Sequence, residues 1–425
     1  MKKHSVVPTA FHASGTRVAV LSAAHFTADM LGGLLPGFLP VALKYFRIDL
    51  GMGVIILTCM SIGCNLMQIP ASLLGRETRT PRLLTVGLVM AGMIVLLAAM
   101  PETTPVIVLC LLMAAVGAGI ALVHPHGLRG TQHIGRIASS ISVPAFMTGG
   151  FLGSAVGPWV SALLVGSFGL KGLYWMALPV LAVILALRLS NVKLAPDRHA
   201  PSSDRSPAGK NAPAAPGEDC PWSFRSLCLI ATLLNTGTLA IQALLPSYLV
   251  TLDFTLSFGG FSAMLFGAGS AAGSIAIGFL VRKYRNAPFV LGGLVPGIPV
   301  VLLYFLFAGH PASCLLIMLG GLLASSCYPL LVSMSRRAEG TLPMSARMGI
   351  IVGGTWGIAG IALLAIGQIA SRIGLAPVMH LSWIFLFALP DCRIADQERK
   401  RTQPAGSGKM IPPRRQPDQS PQPVK

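Results

Sequence analysis

The amino-acid sequence predicts an all-α integral membrane protein, with about twelve transmembrane helices in two six-helix bundles. Three observations predict it: the composition, a run of apolar stretches of membrane-spanning length, and the way positive charge is distributed between them. Of 425 residues, 53% are hydrophobic and only 11% charged, and the mean hydropathy is +0.71. A soluble domain carries about 25% charged residues, and a disordered chain has far less apolar content, so both classes are excluded.

A helix needs about 20 apolar residues to cross the hydrocarbon core. In the first half such stretches run Val18–Leu43, Gly53–Leu74, Leu83–Met100, Val106–Val123, Ile141–Val165 and Leu173–Leu189. In the second they run Leu227–Val250, Phe258–Val281, Phe289–Phe307, Cys314–Met334, Gly349–Ser371 and Ala376–Leu389. The last is short and must borrow flanking residues to span. The high content of Gly (47) and Pro (32) suits helices that pack closely and bend in lipid.

The net charge of +18 raises the possibility of a nucleic-acid partner, but its placement argues against one. Of the 32 Lys and Arg, 28 fall in the N-terminal segment, the tail and the loops that follow even-numbered spans. The opposite loops hold Lys44, Arg47, Lys171 and Arg372. Positive charge marks the cytoplasmic side, so both termini are expected there and the number of spans is even. Contact with anionic lipid head groups is a secondary role for these charges.

The expected organisation is a cytoplasmic segment 1–17, a six-helix bundle 18–190, a cytoplasmic linker 191–226, a second bundle 227–390 and a disordered tail 391–425. The linker and tail are rich in Pro and polar residues. The first span carries an acid and is too long for a cleavable signal, so it is read as retained. The halves repeat weakly at a spacing of roughly 204–210 residues, in keeping with inverted or parallel repeats of secondary carriers. Leu34-Leu35-Pro36 answers to Leu244-Leu245-Pro246, His124-Pro125 to Tyr328-Pro329, and Gly149-Gly150 to Gly353-Gly354. Such an architecture places a binding site between the halves near mid-membrane.

Of fourteen acidic residues, Asp29 is the one inside an expected span. It lies eleven residues past Val18, about 16 Å along the helix and near the midplane. An intramembrane acid costs about 2.5–3.5 kcal/mol on insertion scales and marks a functional site by default. His25 is one turn away on the same face, and the two form a candidate proton-coupling pair. His124, His126 and Arg129 at the end of the fourth span read either as loop residues with a positive-inside arginine, or as a cationic lining that attracts an anion or couples to Asp29. Asn65, Gln68, Asn235, Gln242 and Gln368 either contact substrate or bridge helices by hydrogen bonds. Gly149, Gly153 and Gly157 fall four apart on one helix face, ahead of the helix-bending Pro158. The eight cysteines form no CxxC pair and read as small core residues. His380 receives no role.

His25-Phe-Thr-Ala-Asp29 followed by Leu-Leu-Pro and Pro40 resembles the first helix of fosmidomycin resistance proteins, drug exporters of the major facilitator superfamily. Gly119-Ile-Ala-Leu-Val-His124-Pro125 with Arg129 resembles their fourth helix. Gly149-Gly150, Gly153-Ser154 and Gly157-Pro158 resemble their fifth, with Phe168-Gly169 and Trp175 continuing the likeness. It covers most of residues 19–190; the second half matches mainly by helix pattern. The chain departs from the family in having His126 where a Glu follows His-Pro. It also lacks the Asp of the loop between the second and third helices, where Arg76 stands, and Arg282 takes the acid's place in the second copy.

The resemblance implies the major facilitator fold in a bacterial inner membrane, proton-coupled efflux of small molecules or drugs by alternating access, and Gly149, Gly153, Gly157 and Pro158 as an antiporter-type packing motif. The implied partners are a small-molecule substrate, protons and membrane lipid. No cofactor and no metal is expected. A metabolite importer of the same superfamily, or a non-transporting degenerate member, fits the same residues. A membrane-embedded enzyme does not, since neither H-E-x-x-H nor G-x-S-x-G occurs.

Overall fold

The structure is a computed structural model that describes residues 7–74, 81–132, 139–190, 222–280, 286–335 and 344–381, with positions 134, 137, 192, 338 and 342. The described residues are helical apart from short connections. In the first half, α1 is Val7–Phe46, α2 Leu50–Leu73, α3 Arg82–Gly92, α4 Val106–Gln132, α5 Ser139–Phe168 and α6 Ala177–Leu189. In the second, α7 is Phe224–Thr251, α8 Leu256–Leu280, α9 Asn286–Leu306, α10 Cys314–Leu323, α11 Tyr328–Ser335, α12 Met344–Gly349, α13 Thr355–Ile373 and α14 Leu375–Leu381.

Ten helical stretches among the described residues are long and apolar enough to cross a membrane. One of them, Ile141–Leu189, has 49 residues, roughly 70 Å of helix and far more than the bilayer core needs. It turns back at Gly169, whose φ of +61° only glycine adopts without strain. A 3₁₀ segment, Gly169–Met176, then leads into α6. The stretch is therefore two crossings, making eleven, and α14 begins a twelfth. Its predicted continuation to Leu389 lies outside the described residues, as do Arg76, Arg282 and most of the linker and tail.

The first helix differs from its prediction by starting at Val7 rather than Val18. Its apolar part is Ser14–Phe46, because Arg17 is one charge in an otherwise apolar register. Three predicted spans are broken. The third ends as a 3₁₀ segment, Met93–Ala99. The tenth is α10 and α11 joined by a 3₁₀ turn at Ser325–Cys327, and the eleventh is α12 and α13 joined by a π turn at Ile350–Gly354. Hydropathy has no term for such local changes of pitch, which recur at functional positions in helices.

The internal repeat is visible in the backbone. The four left-handed residues among those described are Arg47 (φ 54°), Asp253 (φ 63°), Gly169 (φ 61°) and Gly374 (φ 92°). They pair as Arg47 with Asp253, ending α1 and α7, and Gly169 with Gly374, ending α5 and α13. These separations, 206 and 205 residues, match the sequence repeat. Packing repeats too: α1 lies on α5 as α7 lies on α13, and α2 on α4 as α8 on α10. Asp49 caps α2 by accepting from the Met52 amide (2.7 Å), and Ser223 caps α7 by accepting from that of Ser226 (3.2 Å).

The outer surface is apolar. On α6, Leu178, Leu181, Leu185 and Leu189 point outward, while Val180, Val183 and Leu187 face the bundle. Water would penalise such a surface and lipid does not. The chain is an integral membrane protein.

Candidate functional site

The two halves meet along α5 with α8, α2 with α13, and α1 with α7. Their tight contacts sit toward the end opposite the linker. At α8, a Cβ on Gly260 would lie 2.5 Å from the Pro158 carbonyl, and Gly51 at the start of α2 abuts Gln368 near the end of α13. The Trp159 and Phe261 rings meet there edge to face at 5.9 Å. Toward the linker end the halves separate around a cavity of about 730 Å³, within the range of small-molecule sites. Ser72 at the end of α2 and Gly349 ahead of the π turn line its mouth, while Pro36 and Leu363 line its depth.

Asp29 is on the cavity wall, one residue from the midpoint of the apolar stretch Ser14–Phe46. Two imidazoles flank it. His25 Nε2 is 3.3 Å from Asp29 Oδ2, and His124 Nε2 is 3.1 Å from Asp29 Oδ1. The first contact follows from helix geometry, since i and i+4 share a face. The second is tertiary: α4 brings His124 across so that the two rings stand edge to face at 4.8 Å. The predicted pair is thus a triad.

The triad is supported from behind. The Phe146 carbonyl on α5 accepts a hydrogen bond from His25 Nδ1 (2.8 Å), and the Phe146 ring stacks on the imidazole at 4.1 Å. A carbonyl only accepts, so Nδ1 carries a proton and Nε2 faces the carboxylate. Gly150 makes room, as a Cβ there would lie 2.4 Å from His25 Cε1 and 2.7 Å from Asp29 Oδ2. The motif glycines set the spacing of the two helices. A Cβ on Gly149, Gly153 or Gly157 would come within 2.5 Å, 2.0 Å and 2.5 Å of the carbonyls of Ser22, Phe26 and Met30. Successive turns of α5 therefore rest directly on successive turns of α1. Pro158 interrupts α5 one residue later, and Ser161 ties the helices again by donating to Leu34 O at 2.7 Å.

The remaining predicted site residues divide. Asn65, Gln68, Asn235 and Gln242 line the cavity. Asn65 Nδ2 is spent on Ser61 O, one turn earlier (2.9 Å). Asn235 Nδ2 donates to Thr355 Oγ1 (2.9 Å), whose hydroxyl donates to Ile351 O (2.7 Å) inside the π turn. His126 and Arg129 do not line the cavity. They lie about 200° and 140° around α4 from His124 at 100° per residue; His126 is fully buried, and the Arg129 guanidinium donates to Ser72 O (3.2 Å). Gln368 packs on Gly51 at the closed end. His380 has a partner there, Tyr248 Oη at 3.0 Å.

Several lining residues carried no sequence signal. Ser325 Oγ accepts from Thr238 (3.3 Å) and Ser270 (3.0 Å), and Tyr328 donates to Ile351 O (3.3 Å). The only hint was the repeat that matched Tyr328-Pro329 to His124-Pro125; all four residues line the cavity. Cys64 also lines it, whereas Cys110 and Cys327 are buried core thiols as expected. Among the described residues, every carboxylate and imidazole on the cavity wall belongs to the first half. A membrane-impermeant maleimide applied from the linker end is expected to alkylate Cys64 severalfold faster than Cys327, measured by mass shift; equal rates would contradict an opening at that end.

The sequence pattern of the Major Facilitator Superfamily matches residues 21–342. The chain belongs to that superfamily. Curated relatives include the fosmidomycin resistance protein of Escherichia coli strain K12, 23% identical over 399 residues, covering 89% of this chain and 94% of the relative. Another is the uncharacterized MFS-type transporter YfnC of Bacillus subtilis strain 168, 23% identical over 371 residues with 85% and 88% coverage. Among solved structures, a bacterial homologue of the human lysosomal transporter Spinster, inward-facing and occupied, superposes with a TM-score of 0.71 at 14% identity, covering 89% of this chain and 96% of that one. A mutant of the nucleoside transporter NupG gives 0.67 at 12% identity, with 90% and 99% coverage. By family and fold this major facilitator protein is a transporter, which implies a small-molecule substrate.

Proposed function

We propose that this facilitator exports small, anionic compounds from the cytoplasm of a bacterial cell in exchange for protons, with the linker end and both termini cytoplasmic. The observation that carries this reading is the Asp29 carboxylate, placed near mid-span on the cavity wall between two imidazoles. With one imidazole protonated the triad is neutral; with both protonated it carries one positive charge. For exchange, proton and cargo must exclude one another: an unprotonated imidazole accepts a hydrogen bond from a cargo hydroxyl, and protonation removes that acceptor and releases the cargo. Proton and cargo then bias one equilibrium between inward- and outward-open forms, each by its difference in affinity for the two.

The likeness to the fosmidomycin resistance protein supports the direction of transport and supplies a probe. In inverted vesicles holding the full chain, an imposed proton gradient is expected to drive accumulation of fosmidomycin or a related anionic drug, and a protonophore to abolish it. Accumulation indifferent to the gradient would reject proton exchange. Uptake in the opposite sense would favour an importer.

A further inference from the structure

We infer that the His25–Asp29–His124 triad binds a divalent transition-metal ion of the zinc and cobalt class at the cavity wall. The ligand atoms of the three side chains all lie within 4.8 Å of one another. Tetrahedral ligands on zinc, with bonds of about 2.0–2.1 Å, stand roughly 3.3–3.4 Å apart. His25 Nε2 stands 3.3 Å from Asp29 Oδ2 and His124 Nε2 stands 3.1 Å from Oδ1, so each imidazole is already at ligand spacing from one carboxylate oxygen, and a rotation of the carboxylate presents a single oxygen to an ion shared by all three.

The donor set suits such an ion. Two imidazoles and one carboxylate are ligands for borderline metals, whereas calcium and magnesium want oxygen throughout. His25 and Asp29 chelate from one helix face at i and i+4, the spacing that places two zinc ligands on a helix. His25 is also oriented as metal ligands usually are, with its other nitrogen donating to a backbone carbonyl. That bond leaves neutral His25 with an Nε2 lone pair aimed at a carboxylate oxygen 3.3 Å away. The pairing is repulsive until a cation stands between them, and a metal ion fills that role as a proton does. All three residues border the cavity, which provides the entry path. Three protein ligands leave a coordination position open for water or for an oxygen atom of an anionic cargo.

The test uses the purified full chain in lipid nanodiscs, with Co²⁺ as the spectroscopic probe. One Co²⁺ per chain is expected, with the visible absorption of a tetrahedral or five-coordinate ion, bleached by Zn²⁺. His25→Gln and His124→Gln are each expected to weaken Co²⁺ binding by at least about 100-fold, the upper end of what loss of a mere supporting contact costs. His380→Gln, which removes an imidazole at the far end of the molecule, is expected to leave it unchanged. Absence of a stoichiometric cobalt spectrum from wild-type protein overturns the inference whether or not the variants fold. Spectra unaltered in both histidine variants overturn it as well, since the ion is then elsewhere. Failure of this inference is separable from failure of proton exchange: protein that binds no cobalt yet needs Asp29 for gradient-driven transport refutes the metal site alone. Protein that binds cobalt but keeps full gradient-driven transport as Asp29→Asn refutes proton exchange alone.

Discussion

Asp29→Asn is expected to lower gradient-driven accumulation of cargo by about 100-fold, while exchange of labelled for unlabelled cargo without a gradient stays within about threefold of wild type. The amide keeps the shape of the carboxylate but takes no proton at any working pH. Coupling between two ligands is a free energy shared by their sites, typically 1–3 kcal/mol, or about 5–150-fold. The carboxylate holds the proton-bearing imidazoles in place, so removing its charge removes most of that coupling. Exchange without a gradient requires only that the loaded carrier change sides. Asp29→Glu lengthens the side chain toward His25 and His124, which stand 3.3 Å and 3.1 Å away, and partial coupling is expected. Paired measurements in the same vesicles separate the effects. If Asp29→Asn loses both activities equally, the carboxylate holds the fold or the cargo rather than the coupling.

The second large effect concerns two neighbouring glycines of α5 with opposite consequences. At Gly153 an added Cβ would stand 2.0 Å from the Phe26 carbonyl, which is backbone and can move only if α1 moves. Gly153→Ala is therefore expected to destabilise the bundle by the 1–3 kcal/mol typical of overpacking, or a drop in melting temperature of roughly 1–4 °C for a chain of this length. At Gly150 the nearest atoms are the ends of the His25 and Asp29 side chains. Those can swing away, so Gly150→Ala is expected to keep most of the stability but disturb the triad and reduce coupled transport at least tenfold. Gly166→Ala, on the same helix with open space around it, is the control. Melting curves and transport assays on the three variants decide the matter: equal behaviour would mean that the contact with α1 sets neither property.

Much of this architecture is legible in the sequence because the bilayer imposes it. Length and hydropathy alone locate the spans, since nothing else satisfies backbone groups in hydrocarbon. Asp29 stands out for the same reason, being costly where it is. Partnership across helices is harder to read. His124 is 95 residues from Asp29, and only the packing of α4 on α1 decides that it, rather than the buried His126, faces the cavity. Phe146 is invisible to sequence reasoning because it acts through its carbonyl and ring face, which no motif records. The breaks at Ser325–Cys327 and Ile350–Gly354 escape because hydropathy averages over pitch. The fourfold glycine spacing was readable as a close approach, but not its target, the carbonyl row of α1.

The wall of the cavity contributed by the second half holds amides, hydroxyls and an indole, without a carboxylate or imidazole among the described residues. On the proton-exchange reading, a change of charge at Asp29 would be felt first by one jaw of a two-jawed clamp. The other jaw would answer through the cargo caught between them and through the seam of α5 on α8, α2 on α13 and α1 on α7. On that reading the motor sits on one side and the grip on the other, and the load shares with the seam the linkage through which torque passes.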